Sequence, residues 1–177
     1  NFEKIKTKKV KTRKKQTVSR TVENKRRNLP QIFLEDYFMK LNLNEIKDGS
    51  KWNGYKLPEF DPKEIAENTR KNPEWIHFGA GNIFRIFPAA LAQKLLNEGL
   101  MNTGIIAGEC HDPEIVEKLF KPHDNLTLGV TLKADGSIEK EIIASVVDSV
   151  CVYPEFKNDW ATVLAAFKNP SLKMLSF

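Results

Sequence analysis

The chain has 177 residues, 41% of them apolar, which is room for one ordinary domain with a packed core plus a tail. No apolar run approaches the ~20 residues of a membrane helix, and the basic N-terminus is not followed by the apolar stretch of a signal peptide. The only cysteines, Cys110 and Cys151, have neither CxxC spacing nor a His/Cys cluster. That argues against a disulfide framework or a zinc site and makes a reducing cytoplasm the expected location.

The net charge of +5 conceals two unlike regions. Residues 1–29 hold 12 Lys/Arg against 2 Asp/Glu, a net of +10, and the rest holds 16 against 21, a net of −5. All the basic character therefore sits in the tail, and the mildly acidic body argues against nucleic-acid binding there. The tail is polar and almost without aromatics, the composition of a disordered segment or of sequence foreign to the mature protein. The other reading is an arm that grips nucleic acid or an anionic surface. The chain opens on Asn1, and a natural-looking start stands at Met39-Lys40-Leu41. The expected division is thus a tail over 1–38 and a folded body over 39–177.

Residues 41–73 read as a lead-in of short elements, with an aromatic turn at Trp52-Asn53-Gly54-Tyr55. Asp61 with Pro62 behind it predicts a helix start, and Asn72-Pro73 predicts its end. Residues 74–79 predict the first core strand. Residues 83–98 predict a helix with Ile83, Phe87, Leu91 and Leu95 at helical spacing and Gly99 as its C-terminal cap. Pro88 is out of place within that span, because an interior proline removes a hydrogen bond, so a kink or a start nearer Phe87 is expected. Residues 103–109 predict a second strand, apolar on both faces as parallel strands are. Pro113 to Phe120 predicts a short helix capped by Asp112. Leu126 to Leu132 and Ser137 to Val150 are β-rich, and Asp135-Gly136 between them is a hairpin signal. A helix over 160–167 and a strand over 172–177 complete an α/β, Rossmann-like reading: a mostly parallel sheet with a β-hairpin insertion.

The stretch Ile76-His77-Phe78-Gly79-Ala80-Gly81-Asn82-Ile83-Phe84-Arg85 carries the chemistry. Strand, tight glycine turn and helix in that order present backbone N–H groups to a pyrophosphate, and make a nicotinamide dinucleotide the first ligand to consider. The first glycine permits the sharp turn and the second a close approach of backbone to ligand. Phe84 stands where the third glycine of GxGxxG would be, so a purely structural turn is the competing reading. Arg85 suits a phosphate or substrate contact, or else is a solvated arginine. The acidic residue that reads the adenosine ribose is expected at the end of the second strand, where Glu109 stands. A carboxylate there favours NAD over NADP, although its distance from Gly81 exceeds the usual ~20 residues. Asp112 is the neighbouring candidate, with helix capping as its plain explanation. His77, inside the first strand, reads as structural. Asp124, Asp148 and Asp159 have no evident partner.

These motifs resemble the N-terminal domain of the long-chain polyol (mannitol) dehydrogenase family, which includes the fructuronate and tagaturonate reductases. The resemblance runs from about Leu41 to Phe177 through WNGYKLPEFD at 52–61, IHFGAGNIFR at 76–85 and the block LTLGVTLKADGSIEKEIIASVVDSV at 126–150. The FGAGxxxR pattern accommodates both Phe84 and Arg85. The resemblance implies hydride transfer between NAD(H) and a sugar alcohol, keto sugar or sugar acid, without a metal. It implies a cofactor cradle at Gly79, Ala80, Gly81, Asn82, Ile83 and Arg85. The family's proton-transferring lysine, with its assisting asparagine and histidine, matches no position here, so the chain is expected to be a fragment without turnover of its own.

Overall fold

The computed structural model describes residues 39–177. The expectations for 1–38 lie outside the described residues. Four strands form one wholly parallel sheet in the order β5-β2-β1-β6: β1 (Trp75–Phe78), β2 (Ile105–Glu109), β5 (Val146–Cys151) and β6 (Met174–Ser176). Strands β3 (Thr127–Leu132) and β4 (Ile138–Ile143) form a separate antiparallel pair. The architecture is α/β and Rossmann-like, with the hairpin inserted between the second and third strands of the parallel sheet.

Local chemistry accounts for most element ends. Helix α1 (Pro62–Lys71) starts where the Asp61 carboxylate accepts from the Lys63 N–H at 2.9 Å. The predicted helix over 83–98 divides into α2 (Asn82–Ile86) and α3 (Pro88–Asn97). Pro88 is the first residue of the second piece, where its missing N–H costs nothing. Gly99, at φ +68°, caps α3 as expected, donating to the Leu96 carbonyl at 3.1 Å. The Asp112-capped segment begins as a helical turn, α4 (Pro113–Ile115), and widens into a π-helix over Val116–Phe120. Helix α5 (Lys157–Lys168) precedes β6. The Asp135-Gly136 turn closes the hairpin, with Gly136 at φ +82° and the Lys133 N–H donating to the Ser137 carbonyl at 2.9 Å.

Two features go beyond what the spacing predicts. The spacing of Ile83, Phe87, Leu91 and Leu95 does not mark the buried face: their exposure runs from 77% at Ile83 to 39% at Leu95. The core instead takes Phe84, Ala89, Ala92, Gln93 and Leu96. The small alanines let the backbone of α3 lie close to the sheet, and the break at Phe87 resets which side of the helix faces inward. The β-rich run 137–150 is also two strands of different sheets, separated at Ala144-Ser145. Gln93, fully buried, makes that junction: its amide donates to the Ile142 carbonyl at 2.8 Å and accepts from the Ala144 N–H at 2.7 Å. Beside it the Ser145 hydroxyl donates to the Ala89 carbonyl at 2.6 Å.

The core has one cluster under α2 and α3, built on Phe84, Ala89, Ile105, Ala107, Phe120 and Ile143. A second, on Ile76, Ile106, Val150, Val163 and Ala166, lies under α5. The opposite faces of β1 and β2 therefore feed different clusters, which is why both strands read as continuous apolar runs. The lead-in forms a third cluster, in which Trp52 packs with Ile46, Leu126 and Ile142.

Candidate functional site

Strand β1 delivers the chain to its carboxyl end at Phe78, and Gly79 turns it at φ +108°, a conformation that L side chains rarely adopt. The Gly79 N–H donates to the Gly108 carbonyl at 2.7 Å, so the turn begins only after the ladder to β2 has ended. Ala80 is fully buried. Gly81 then opens α2 with extended backbone, φ −70° and ψ 176°. A Cβ built on Gly79 or on Gly81 would meet no atom within 4 Å. The N–H groups of Gly81, Asn82 and Ile83 follow without an acceptor among the described residues. The turn thus combines open space with free donors at the carboxyl edge of a parallel sheet, the place where such sheets receive ligands.

Arg85, one turn along α2, donates from Nη2 to the Asn82 Oδ1, and its guanidinium carbon lies 5.8 Å from the centre of the Phe120 ring. Its Nε is buried without a partner, and burial pushes its pKa below the ordinary arginine value. Arg85 is therefore anchored by one edge of its fork, with donors to spare.

Glu109 stands at the end of β2 as the strand pattern indicates, but its carboxylate is enclosed, with the residue 3% exposed. Oε2 accepts from the Ala80 N–H at 2.9 Å, and Oε1 accepts from the N–H groups of His111 at 2.7 Å and Asp112 at 3.1 Å. Burial pushes its pKa up, and the backbone donors outweigh that and hold it below the usual glutamate value. The exposed carboxylate of this loop is Asp112, whose Oδ1 caps α4 by accepting from the Glu114 N–H at 3.0 Å.

His77, 7% exposed, stacks on Phe84 with ring centres 4.0 Å apart, and its Nδ1 lies 2.8 Å from the Ser176 hydroxyl. Burial lowers its pKa. Ser176 also accepts from the Trp75 indole at 2.7 Å, so this set fastens β6 to β1 beneath the turn. Pattern reasoning had no means of finding that pairing, because the partners are a hundred residues apart. The aspartates left without partners by the sequence serve backbone groups. Asp124 accepts from the Leu43 N–H at 2.9 Å, Asp159 from the Cys151 N–H at 2.8 Å, and Asp148 from the Ser149 N–H at 2.9 Å.

A separate cleft of about 630 Å³ opens between α3 and the hairpin, lined by Lys56, Phe87, Leu91, Lys94, Glu139 and Glu141 among others. None of residues 79–83 lines it. The glycine turn is an open shelf and not a closed cavity, as suits a loop that backs one side of an extended ligand.

No family model matches the chain. Over 140 residues, 78% of the chain, it is 46% identical to the D-mannonate oxidoreductase of Thermotoga maritima, and the match takes in 26% of that protein. A D-sorbitol dehydrogenase solved in substrate-free form shares the fold with a TM-score of 0.57 at 20% identity, over 70% of this chain and 24% of that one. The mannitol 2-dehydrogenase of Pseudomonas fluorescens, solved as a ternary complex with NAD and D-mannitol, does so with a TM-score of 0.61 at 17% identity. That match covers 78% of this chain and 26% of the other. The chain spans about a quarter of the length of each of these relatives. Over the part that it spans, the chain belongs to the mannitol dehydrogenase family.

Proposed function

We propose that residues 39–177 are the dinucleotide-binding domain of a mannitol- or mannonate-type oxidoreductase, and that they hold NAD(H) for hydride transfer to or from a sugar alcohol or keto sugar. The observation that carries this reading is the shelf at the end of β1. Gly79 and Gly81 leave room where side chains would stand, and the N–H groups of Gly81, Asn82 and Ile83 have no acceptor among the described residues. These residues fit a pyrophosphate, which needs donors and close backbone approach. Arg85 adds a positive charge one turn away, and Glu109 stands behind the turn. When bound, the nicotinamide supplies the hydride acceptor or donor. This chain's residues bind and orient it, and the group that holds the reacting oxygen and moves its proton belongs to sequence outside them.

Among the substrates of this family, a sugar acid is favoured by one observation. The relative at 46% identity is named for D-mannonate, whereas the polyol dehydrogenases resemble the chain at only 20% and 17%. A hexuronate reductase is therefore the preferred form of the reading.

The test is a fluorescence titration of NADH into the full chain, with Gly81→Val beside it. Micromolar binding that disappears in the variant is the expected result. A folded wild-type chain that leaves NADH fluorescence unchanged would overturn the reading.

A further inference from the structure

A buried carboxylate is costly unless its charge is answered by hydrogen bonds. Among the described residues Glu109 forms no ion pair, and its charge is met by the backbone N–H groups of Ala80, His111 and Asp112 at 2.9, 2.7 and 3.1 Å. Those donors come from two different loops. Ala80 is the middle residue of the glycine turn after β1, and His111 and Asp112 lie in the loop after β2. Each oxygen serves one loop. The carboxylate is thus a bridge between the carboxyl ends of adjacent strands.

We infer that Glu109 is a positioning residue, which holds the Gly79–Gly81 turn in the shape that receives the cofactor, and that it does not itself discriminate the cofactor's ribose. The inference rests on the dinucleotide reading above and changes the part that Glu109 plays in it. Without the bridge, the Ala80 N–H is a buried donor with nothing to accept from it, and the turn must rotate to find a partner. Rotation at Ala80 carries Gly79 and Gly81 with it and turns the free N–H groups off the phosphates. A ribose hydroxyl, by contrast, meets a carboxylate that is almost wholly covered and already engaged on both oxygens. The exposed carboxylate of the second loop is that of Asp112.

The two roles give opposite results with NADH and NADPH, which differ only at the ribose 2′ position. Glu109→Gln keeps the shape but has a single oxygen, so it serves one loop or the other and not both. A bridge predicts that this variant binds NADH and NADPH more weakly by the same factor, about tenfold, so that their ratio stays at the wild-type value. Asp112→Asn is the control for a change in that ratio. A Glu109→Gln chain in which NADH weakens while NADPH holds or tightens would overturn the inference, as would unchanged binding of both.

A measurement without ligand or variant separates this from the cofactor reading. In the wild-type chain the Ala80 amide resonance should follow the titration of a carboxyl group as the pH is lowered, and its hydrogen exchange should be slow until that group protonates. An Ala80 amide that exchanges freely at neutral pH, or does not move through the acid range, sinks the bridge even if NADH binds. If the amide behaves as expected but neither dinucleotide binds, the bridge stands as a structural device. The cofactor reading then fails, and with it the role assigned here.

Discussion

Gly79 and Gly81 stand two residues apart and are needed for different reasons. Gly79 sits at φ +108°, so any side chain there strains the backbone even though the space around it is open. Gly79→Ala should cost the fold about 1–3 kcal/mol, readable as a lower unfolding midpoint. Gly81 has an ordinary φ of −70° and nothing within 4 Å of a Cβ, so valine there should leave thermal stability within about 0.5 kcal/mol of wild type. Its cost should fall on NADH binding alone, because the proposed function assigns the space that the side chain fills to the ligand. A Gly81→Val chain that unfolds early would show the second glycine to be structural. Glu109 adds a pH dependence with a definite sign. Its folded pKa lies below the ordinary glutamate value, so its contribution is fully present above that value. It is lost as the pH falls through the lower, folded value. Glu109's share of the stability should hold from neutral pH to about 5 and then decline, so the gap between wild type and Glu109→Gln in denaturant unfolding should be constant down to that pH and shrink below it. An unchanged acid limb in the variant would contradict it.

At the scale of elements, the separation of β4 from β5 is the least expected feature of the fold. The run Ser137 to Val150 has no glycine or proline to divide it, and its β-branched residues suit a strand throughout. The division comes from across the molecule: Gln93 on α3 takes the Ile142 carbonyl and the Ala144 N–H, and the Ser145 carbonyl is left to receive the Ile105 N–H at 2.8 Å. Gln93→Leu keeps the volume but leaves those groups buried and unpaired, and should cost about 2–3 kcal/mol in unfolding free energy. A loss below about 0.5 kcal/mol would mean that the junction holds itself. The next irregularity is the register shift between Ile105 and Ile106 against β5, which leaves Val147 unmatched in the pairing. Gly104 makes room for it, since a Cβ there would lie 2.5 Å from the Val147 Cγ1 and 2.6 Å from the Ser145 carbonyl oxygen. The backbone oxygen has little freedom to retreat, so Gly104→Ala should destabilise by about 1–3 kcal/mol, seen in the same unfolding experiment. Pro88, by contrast, announced its break in the sequence, because its effect is confined to its own ring and missing N–H.

At the scale of the whole molecule, the proposed function makes the parallel sheet and the glycine shelf one side of a reaction centre. The sheet ends at β6, which pairs only with β1 among the described residues and leaves Met174 and Leu175 exposed. The chain covers 26% of its mannonate-named relative, and the proposed function leaves the proton-transfer step to sequence outside these residues. The full chain should therefore bind NADH and yet show no D-mannonate- or D-mannitol-dependent change in NADH absorbance. Turnover above the buffer rate would place a proton-transfer group within these residues and overturn the division of labour proposed here.

What the sequence determined by itself was whatever depends on neighbours along the chain. The caps at Asp61 and Asp112, the turn at Asp135-Gly136, the stop at Gly99 and the strand-turn-helix order around Gly79 were all legible, because each is a matter of φ, a missing N–H or a side chain reaching two residues onward. Tertiary structure alone decided which face of α3 is buried, where the β-rich run divides and what the Glu109 carboxylate does. A helical spacing of apolar residues shows that a stripe exists. The surface it meets depends on the break at Phe87 and on the shape of the sheet beneath. Likewise the position of an acidic residue at a strand end was visible, but its partners were not. The Ala80 N–H that it binds lies 29 residues away in the chain and reaches it only when β1 and β2 pair.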